Sequence, residues 1–272
     1  MTTTIDQAFV KQFEREVHES FQRMGSKLIQ TVRSKNNVEG SSTTFQKIGK
    51  GVASTKARNG NVPVMNVTHS SVECALSDYY AGDWVDKLDE AKVNIDERSI
   101  IANAGAYALG RKADDLIIAE LKKTTNVAGT SADGMTKAKI LTAFEMLGGN
   151  DVPDDGNRFV VLGYSQFVDL MGLPEFASAD YVGEDELPFK NTQAKKWLGA
   201  TFIAHSGLPI TESVRDCFFF HKNAIGHASG ADIETDITWH GDKASHFVNN
   251  MMSQGAKIID TNGVIKMSCL ES

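Results

Sequence analysis

Cysteine is scarce and unpatterned in this 272-residue chain: Cys74, Cys217 and Cys269 stand alone at long separations, with no CxxC pair. An odd count without paired spacing excludes a disulfide framework and a cysteine zinc site, and fits synthesis in a reducing compartment. Basic charge is also short. Lys and Arg number 28 against 35 Asp and Glu, a formal net charge of -7. A protein whose main task is gripping phosphate backbones needs the opposite surplus, so any contact with nucleic acid must be local. The deficit is uneven, because residues 1–35 carry a net +2 and the remainder -9. Long apolar runs are missing too. The N-terminus, MTTTIDQAFVKQFEREV, has no continuous apolar stretch behind a basic flank, and nothing later is long enough to span a bilayer. A soluble protein without a targeting segment is the expectation. Internal repeats and low-complexity tracts are absent as well.

The usual catalytic signatures are lacking. His205, His221, His227, His240 and His246 fall on separate segments without the HExxH spacing of a zinc enzyme. DVPDDGN at Asp151 has Pro153 at a calcium-ligand position and Leu162 where the bidentate Glu belongs, so it reads as an acidic turn. GKGVAST and GTSADGM lack the spacing of a phosphate-binding loop. In GYSQF, Phe167 stands where a nucleophile elbow around Ser165 needs glycine. No catalytic, cofactor-binding or metal-binding residue is assigned, and the chain is not expected to be an enzyme.

What is present is an orderly series of elements. Phe9, Val10, Phe13, Val17, Phe21, Met24, Leu28 and Val32 recur at three and four, which predicts an amphipathic N-terminal helix ending before Gly40. Its stripe either packs into its own domain or lies along another surface. Residues 40–70 turn rich in Gly, Ser, Thr and Lys around FQKIG and NVPVMNV, a long polar β-hairpin, followed by the alternation Val72, Cys74, Leu76 of a half-buried strand. An isolated ribbon with so few apolar residues is marginal in water and must borrow a surface.

Asn94 with Glu97 resembles a capping box opening a long helix to Lys123, about 43 Å at 1.5 Å per residue. A second helix spans residues 136–147 and stops at Gly148-Gly149. RFVVLG, YSQFVDLM, LGATFIAHS and CFFFH then read as strand, helix, strand and strand, with the acidic loop PEFASADYVGEDELPF among them. The chain closes with DIETDITW, SHFVNNMMSQ, AKIID and VIKMSCL, the last two expected to form a hairpin at Thr261-Asn262-Gly263.

This order resembles the Hong Kong 97-type major capsid proteins of tailed phages, and the resemblance covers nearly the whole chain. It is carried by VTHSSVECALSDYYAGDWVDKLDEAKVNIDERSIIANAGAYALGRKADDLIIAELKK, with Asp114-Asp115 before an aliphatic run, and by RFVVLGYSQFVDLMG and GAKIIDTNGVIKMS. The resemblance implies an α+β fold with an N-terminal arm (1–39), an extended loop (40–80), a peripheral domain with a spine helix (81–135), an axial α/β domain (136–231) and closing peripheral strands (232–272). It implies a structural subunit that assembles as pentamers and hexamers into an icosahedral shell around phage double-stranded DNA, touched on the inner face without sequence specificity. A portal is an implied partner, and no membrane is. The absence of a long extension ahead of the arm adds the expectation of a separate scaffolding protein. The place of work is the virion capsid, assembled in the host cytoplasm. An encapsulin-like compartment shares the fold and is the nearest alternative; a small α/β enzyme is the distant one.

Function should then lie at subunit interfaces. Lys47, Lys50, Lys56 and Arg58 fall in the extended loop, and Asp83, Asp86, Asp89, Glu90, Asp96 and Glu97 precede or open the spine helix. The loop of one subunit is expected to lie over the acidic segment of the next. Each exposed pair contributes at most about 1 kcal/mol, multiplied by repetition around a closed shell. The plain alternative is that both clusters are solvated faces.

Overall fold

The structure, a computed structural model, describes residues 23, 25–92, 96–129, 133–177 and 195–271. Residues 1–22 of the expected N-terminal helix, Asn94 and most of the acidic loop lie outside the described residues. Where the arm enters them, the expected helix does not continue to Val32. Gly25 takes φ +66°, a left-handed conformation that an α-helix cannot pass through. The chain then makes a short 3-10 turn at Ile29–Thr31 and enters β1 (Arg33–Lys35). Leu28 and Val32 are nonetheless buried, so their spacing of four serves the main core rather than a continuous helix.

A ribbon forms with a different return arm from the one expected within residues 40–70: β2 (Ser42–Ile48) pairs with β3 (His69–Ala75), the segment read as a separate following strand, antiparallel from Ser42 opposite Ala75 to Ile48 opposite His69. Thr43 and Phe45 point inward while Thr44 and Gln46 are exposed. One face therefore has something to lie on: Phe45 and Cys74 join Ala228 and Ile259 in a small core, flanked by Val38 and Leu76. Two glycines make room. A Cβ at Gly226 would run into the Phe45 ring, and one at Gly255 would overlap the Ala75 carbonyl. Gly49 N–H donates to the Thr68 carbonyl (2.8 Å), and beyond that bond the two arms part. Residues 49–68 form no strand, NVPVMNV included.

Instead of ending after β3, the chain continues as β4 (Ser77–Asp86). A short helix, α1 (Lys87–Lys92), precedes the long α2 (Glu97–Leu121). At 25 residues α2 is about 37 Å long, shorter than expected because it starts at Glu97, where the Asp96 carboxylate accepts the Ser99 N–H (3.3 Å). The second helix, α3 (Lys137–Gly149), forms where expected, but Thr136 is its cap rather than its first residue, and it runs through Gly148-Gly149 to end at Asn150.

Next come β5 (Arg158–Leu162), α4 (Tyr164–Met171), α5 (Pro174–Ala177), β6 (Lys195–Trp197), β7 (Ala200–Ala204), β8 (Ile210–Thr211), β9 (Val214–His221), β10 (Ile225–His240), β11 (Ser245–Ile258) and β12 (Val264–Leu270). One sheet runs β12-β9-β5-β7-β6, with β8 on β9; a second runs β1-β10-β11-β4. The expected closing hairpin is not formed. Asn262-Gly263 lies in a 3-10 turn that hands the chain from β11 in one sheet to β12 in the other, where β12 pairs antiparallel with β9.

The fold is α+β and divides into two compact units. One draws its described elements from Tyr79–Arg111 and Ile233–Met252; the other comprises Ser26–Asp78, Lys112–Asp232 and the chain from Ser253 onward. The second holds the main core, in which Phe176, Phe202, Phe218, Phe219 and Phe220 are fully buried with Ile117, Leu121, Ile140 and Leu147. The run CFFFH reads as continuous apolar because β9 sits between β12 and β5 and is covered on both faces.

Candidate assembly interface

Of the four loop cations, two already have partners in their own subunit. Lys47 Nζ lies 3.0 Å from Asp260 Oδ1, both about one-third exposed. Lys50 Nζ pairs with the Asp151 carboxylate, and both side chains are about three-quarters exposed. Lys50 holds the Asp151 carboxyl below its ordinary value by hydrogen bond and by charge. Together the pairs pin the root of the ribbon above a cavity of about 320 Å³ lined by Ile48, Lys50, Asp151, His221 and Asp260. Lys56 and Arg58 lie further out and are exposed. Around them Val52, Val62, Val64 and Met65 are 56 to 78 % exposed, an apolar surface unusual for so thin a segment.

The acidic segment has local work. Asp83 accepts the Trp84 N–H (2.8 Å) and Asp86 the Leu88 N–H (2.7 Å) at the start of α1. Asp89, Glu90 and Glu97 sit in the first turns of α1 and α2, where negative charge meets the positive helix end. Glu90 also pairs with Arg98 at 2.8 Å. Asp83, Asp89 and Asp96 remain exposed.

The residues that hold the larger unit together were not the ones that charge clustering singled out. Asp114, fully buried on α2, accepts Ser26 Oγ–H, the N–H groups of Lys27 and Leu28 (3.0 Å to Leu28), and His205 Nε2 at 3.0 Å. Burial pushes its carboxyl up, but the hydrogen bonds from His205, Ser26 and the two backbone groups together outweigh it and hold the acid below its ordinary range. The contact fixes the chain just after Gly25 against α2. His221 repeats the geometry: its Nε2 lies 3.0 Å from Asp155, and its Nδ1 accepts the N–H two residues on, as in His205. Asp155 is depressed by Asn157, which donates to it, and by His221.

Lys139, 4 % exposed, donates to the carbonyls of Asp133 (2.6 Å), Gly134 (3.0 Å) and Ser268 (3.1 Å). Cys269 next to it has its thiol lowered by a hydrogen bond from Cys217 and by the Lys139 charge. These are positioning groups. Among the described residues no three His, Cys, Asp or Glu side chains gather as a metal site, and no helix is long and apolar enough to cross a membrane.

A family profile described as phage capsid protein matches residues 5–271. The chain belongs to the phage capsid protein family. It is a structural subunit whose place is the virion capsid, and its α+β architecture is the Hong Kong 97-type fold. No curated protein matches the sequence. Among solved structures, that of Mycobacterium phage Che8 is similar at TM-score 0.72 and 18 % identity, covering 97 % of this chain and 98 % of that one. The capsid of the cyanophage P-SCSP1u is similar at 0.74 and 16 %, covering 100 % and 96 %. The head structure of Helicobacter pylori bacteriophage KHP40 gives 0.75 and 12 %, covering 96 % and 94 %. Neither the compartment alternative nor the enzyme is favoured by these likenesses. In this capsid protein the buried groups just described hold the larger unit together, while the residue 49–68 loop leaves Val52, Val62, Val64 and Met65 exposed.

Proposed function

We propose that this subunit assembles as pentamers and hexamers into an icosahedral shell enclosing phage double-stranded DNA, and that the residue 49–68 loop of one copy docks on the acidic residues Asp83, Asp86, Asp89, Glu90, Asp96 and Glu97 of the next. The observation that carries the reading is the loop itself: exposed Val52, Val62, Val64 and Met65 beside Lys56 and Arg58, on a segment with no core of its own. Lys47 and Lys50, engaged with Asp260 and Asp151, set the root of the loop, so Lys56 and Arg58 supply the intersubunit charge. Residues 1–39 serve as the arm and 40–80 as the extended loop. Residues 81–135 and 232–272 form the peripheral domain, and 136–231 the axial domain, whose sheet β12 completes.

The subunit does no catalysis. It is assembled in the host cytoplasm with a separate scaffolding protein and a portal, and its inner face meets DNA locally and without sequence preference, since a net charge of -7 leaves no cationic surplus for extended phosphate contact. Reversing Lys56 and Arg58 to Glu tests the docking. The expected result is a folded subunit with unchanged melting temperature and a collapse in particle yield. Normal particle yield from the double reversal would reject it.

A further inference from the structure

The outer edge of β10 faces no strand beyond Ala228 among the described residues. β1 pairs with it only from Gly226 to Ala228, and β11 occupies its other side. Residues 233–239 are all exposed, and Ile233, Ile237 and Trp239 are 38, 46 and 44 % exposed. Such an edge presents a row of N–H and C=O groups ready for another strand. Of the features that normally blunt one, Ile233–His240 contains neither Pro nor Lys, and its two charges, Glu234 and Asp236, share a single face. Nor is its far end loose. Trp239 stacks on His246 at 4.9 Å, and His240 lies edge-on to Trp84 at 5.0 Å, cross-strand contacts that hold the edge in shape.

We propose that this edge pairs antiparallel with the same edge of a second copy, with Ile237 opposite its own counterpart. The inference rests on the shell reading, which supplies the second copy. Side chains alternate in twos, so one face carries Ile233, Thr235, Ile237 and Trp239 and the other Glu234, Asp236, Thr238 and His240. A two-fold axis through the new sheet must set residues of the same face opposite each other, which allows only registers centred on a residue. Centring on Asp236 sets like charges face to face, a destabilising pair. Centring on Thr238 leaves a ladder only from 236 to 240. Centring on Ile237 lets the ladder run from 234 to 240, with Thr235 opposite Trp239, Asp236 opposite Thr238 and the Glu234 carboxylate opposite the His240 ring. Every pair in that register is apolar, hydrogen-bonding or of compatible charge.

Cysteine cross-linking tests the register directly, because the native Cys74, Cys217 and Cys269 are fully buried and give little background. Ile237→Cys, Asp236→Cys and Thr238→Cys are made singly and treated with a short bis-maleimide in purified particles. The expected outcome is that I237C moves from the 29.6 kDa monomer band to one of twice that mass. D236C and T238C should link more completely when mixed than when alone, because the like pairs are diagonal neighbours about 7–8 Å apart rather than directly opposite. Particles of normal yield in which I237C stays monomeric, or in which T238C alone links better, overturn the pairing while leaving the shell intact. Wild-type protein that never forms particles sinks the shell reading instead, and I237C remaining monomeric there as well sinks the pairing with it.

Discussion

His205 Nε2 lies 3.0 Å from Asp114 Oδ2 with both side chains wholly out of solvent. Ser26 and two backbone N–H groups also donate to that carboxylate, which offsets the cost of keeping a charge out of water. Replacing Asp114 by Ala strands those donors, and the subunit should lose about 3–5 kcal/mol, read as a fall in melting temperature or urea midpoint. Because the folded acid titrates below its ordinary 3.8, its stabilisation is complete above that value and disappears as pH falls through the lower folded one. Wild type should therefore lose stability below about pH 4 more steeply than Asp114→Asn. Parallel pH curves for the two would contradict this role.

Lys139 is the second test of the core. Its ammonium ties the carbonyls of Asp133 and Gly134 to that of Ser268 on β12. Lys139→Met keeps the stem but takes the ammonium donor from three carbonyls, of which Asp133 still accepts the Leu270 N–H (2.9 Å), and stability should fall by about 2 kcal/mol with hydrogen exchange accelerating in β12. A change under about 0.5 kcal/mol, the usual effect of a surface substitution, would mean that the lysine is merely accommodated.

The ribbon's seat can be probed without touching the ribbon. Gly255→Ala places a methyl against the Ala75 carbonyl, so β3 must shift and Phe45 must leave its small core. Proteolysis within residues 40–76 should speed up, while the melting of the main core moves little. Unchanged cleavage would show that the ribbon does not depend on this seat.

Much of this was legible in the sequence where the signal was local. The run TKAKILTAFEML marks α3, YSQFVDLM carries a helical period, and RFVVLG and CFFFH are short continuous apolar runs that read as buried strands. What failed was non-local. Asn262-Gly263 is a sound turn signal, but no turn can say that β12 will pair with β9, some fifty residues earlier, rather than with β11. β4 was missed because Ser77–Asp86 is mostly exposed and so lacks the alternation that marks a half-buried strand. Asp114 stood out only as part of an acidic pair, and its partner His205 is 91 residues away. Lys139 reads as an ordinary surface helix lysine until the fold encloses it. The loop cations were found by clustering, yet composition could not separate Lys47 and Lys50, which serve their own subunit, from Lys56 and Arg58.

The most direct measurement is electron microscopy with sedimentation of the wild-type protein co-expressed with its head-assembly partners. Closed particles with five- and six-fold capsomers, in which the 49–68 loop rests on an adjacent copy, are the expected result. A stable monomer whose loop folds back on its own subunit, with no larger species at any concentration, would contradict it.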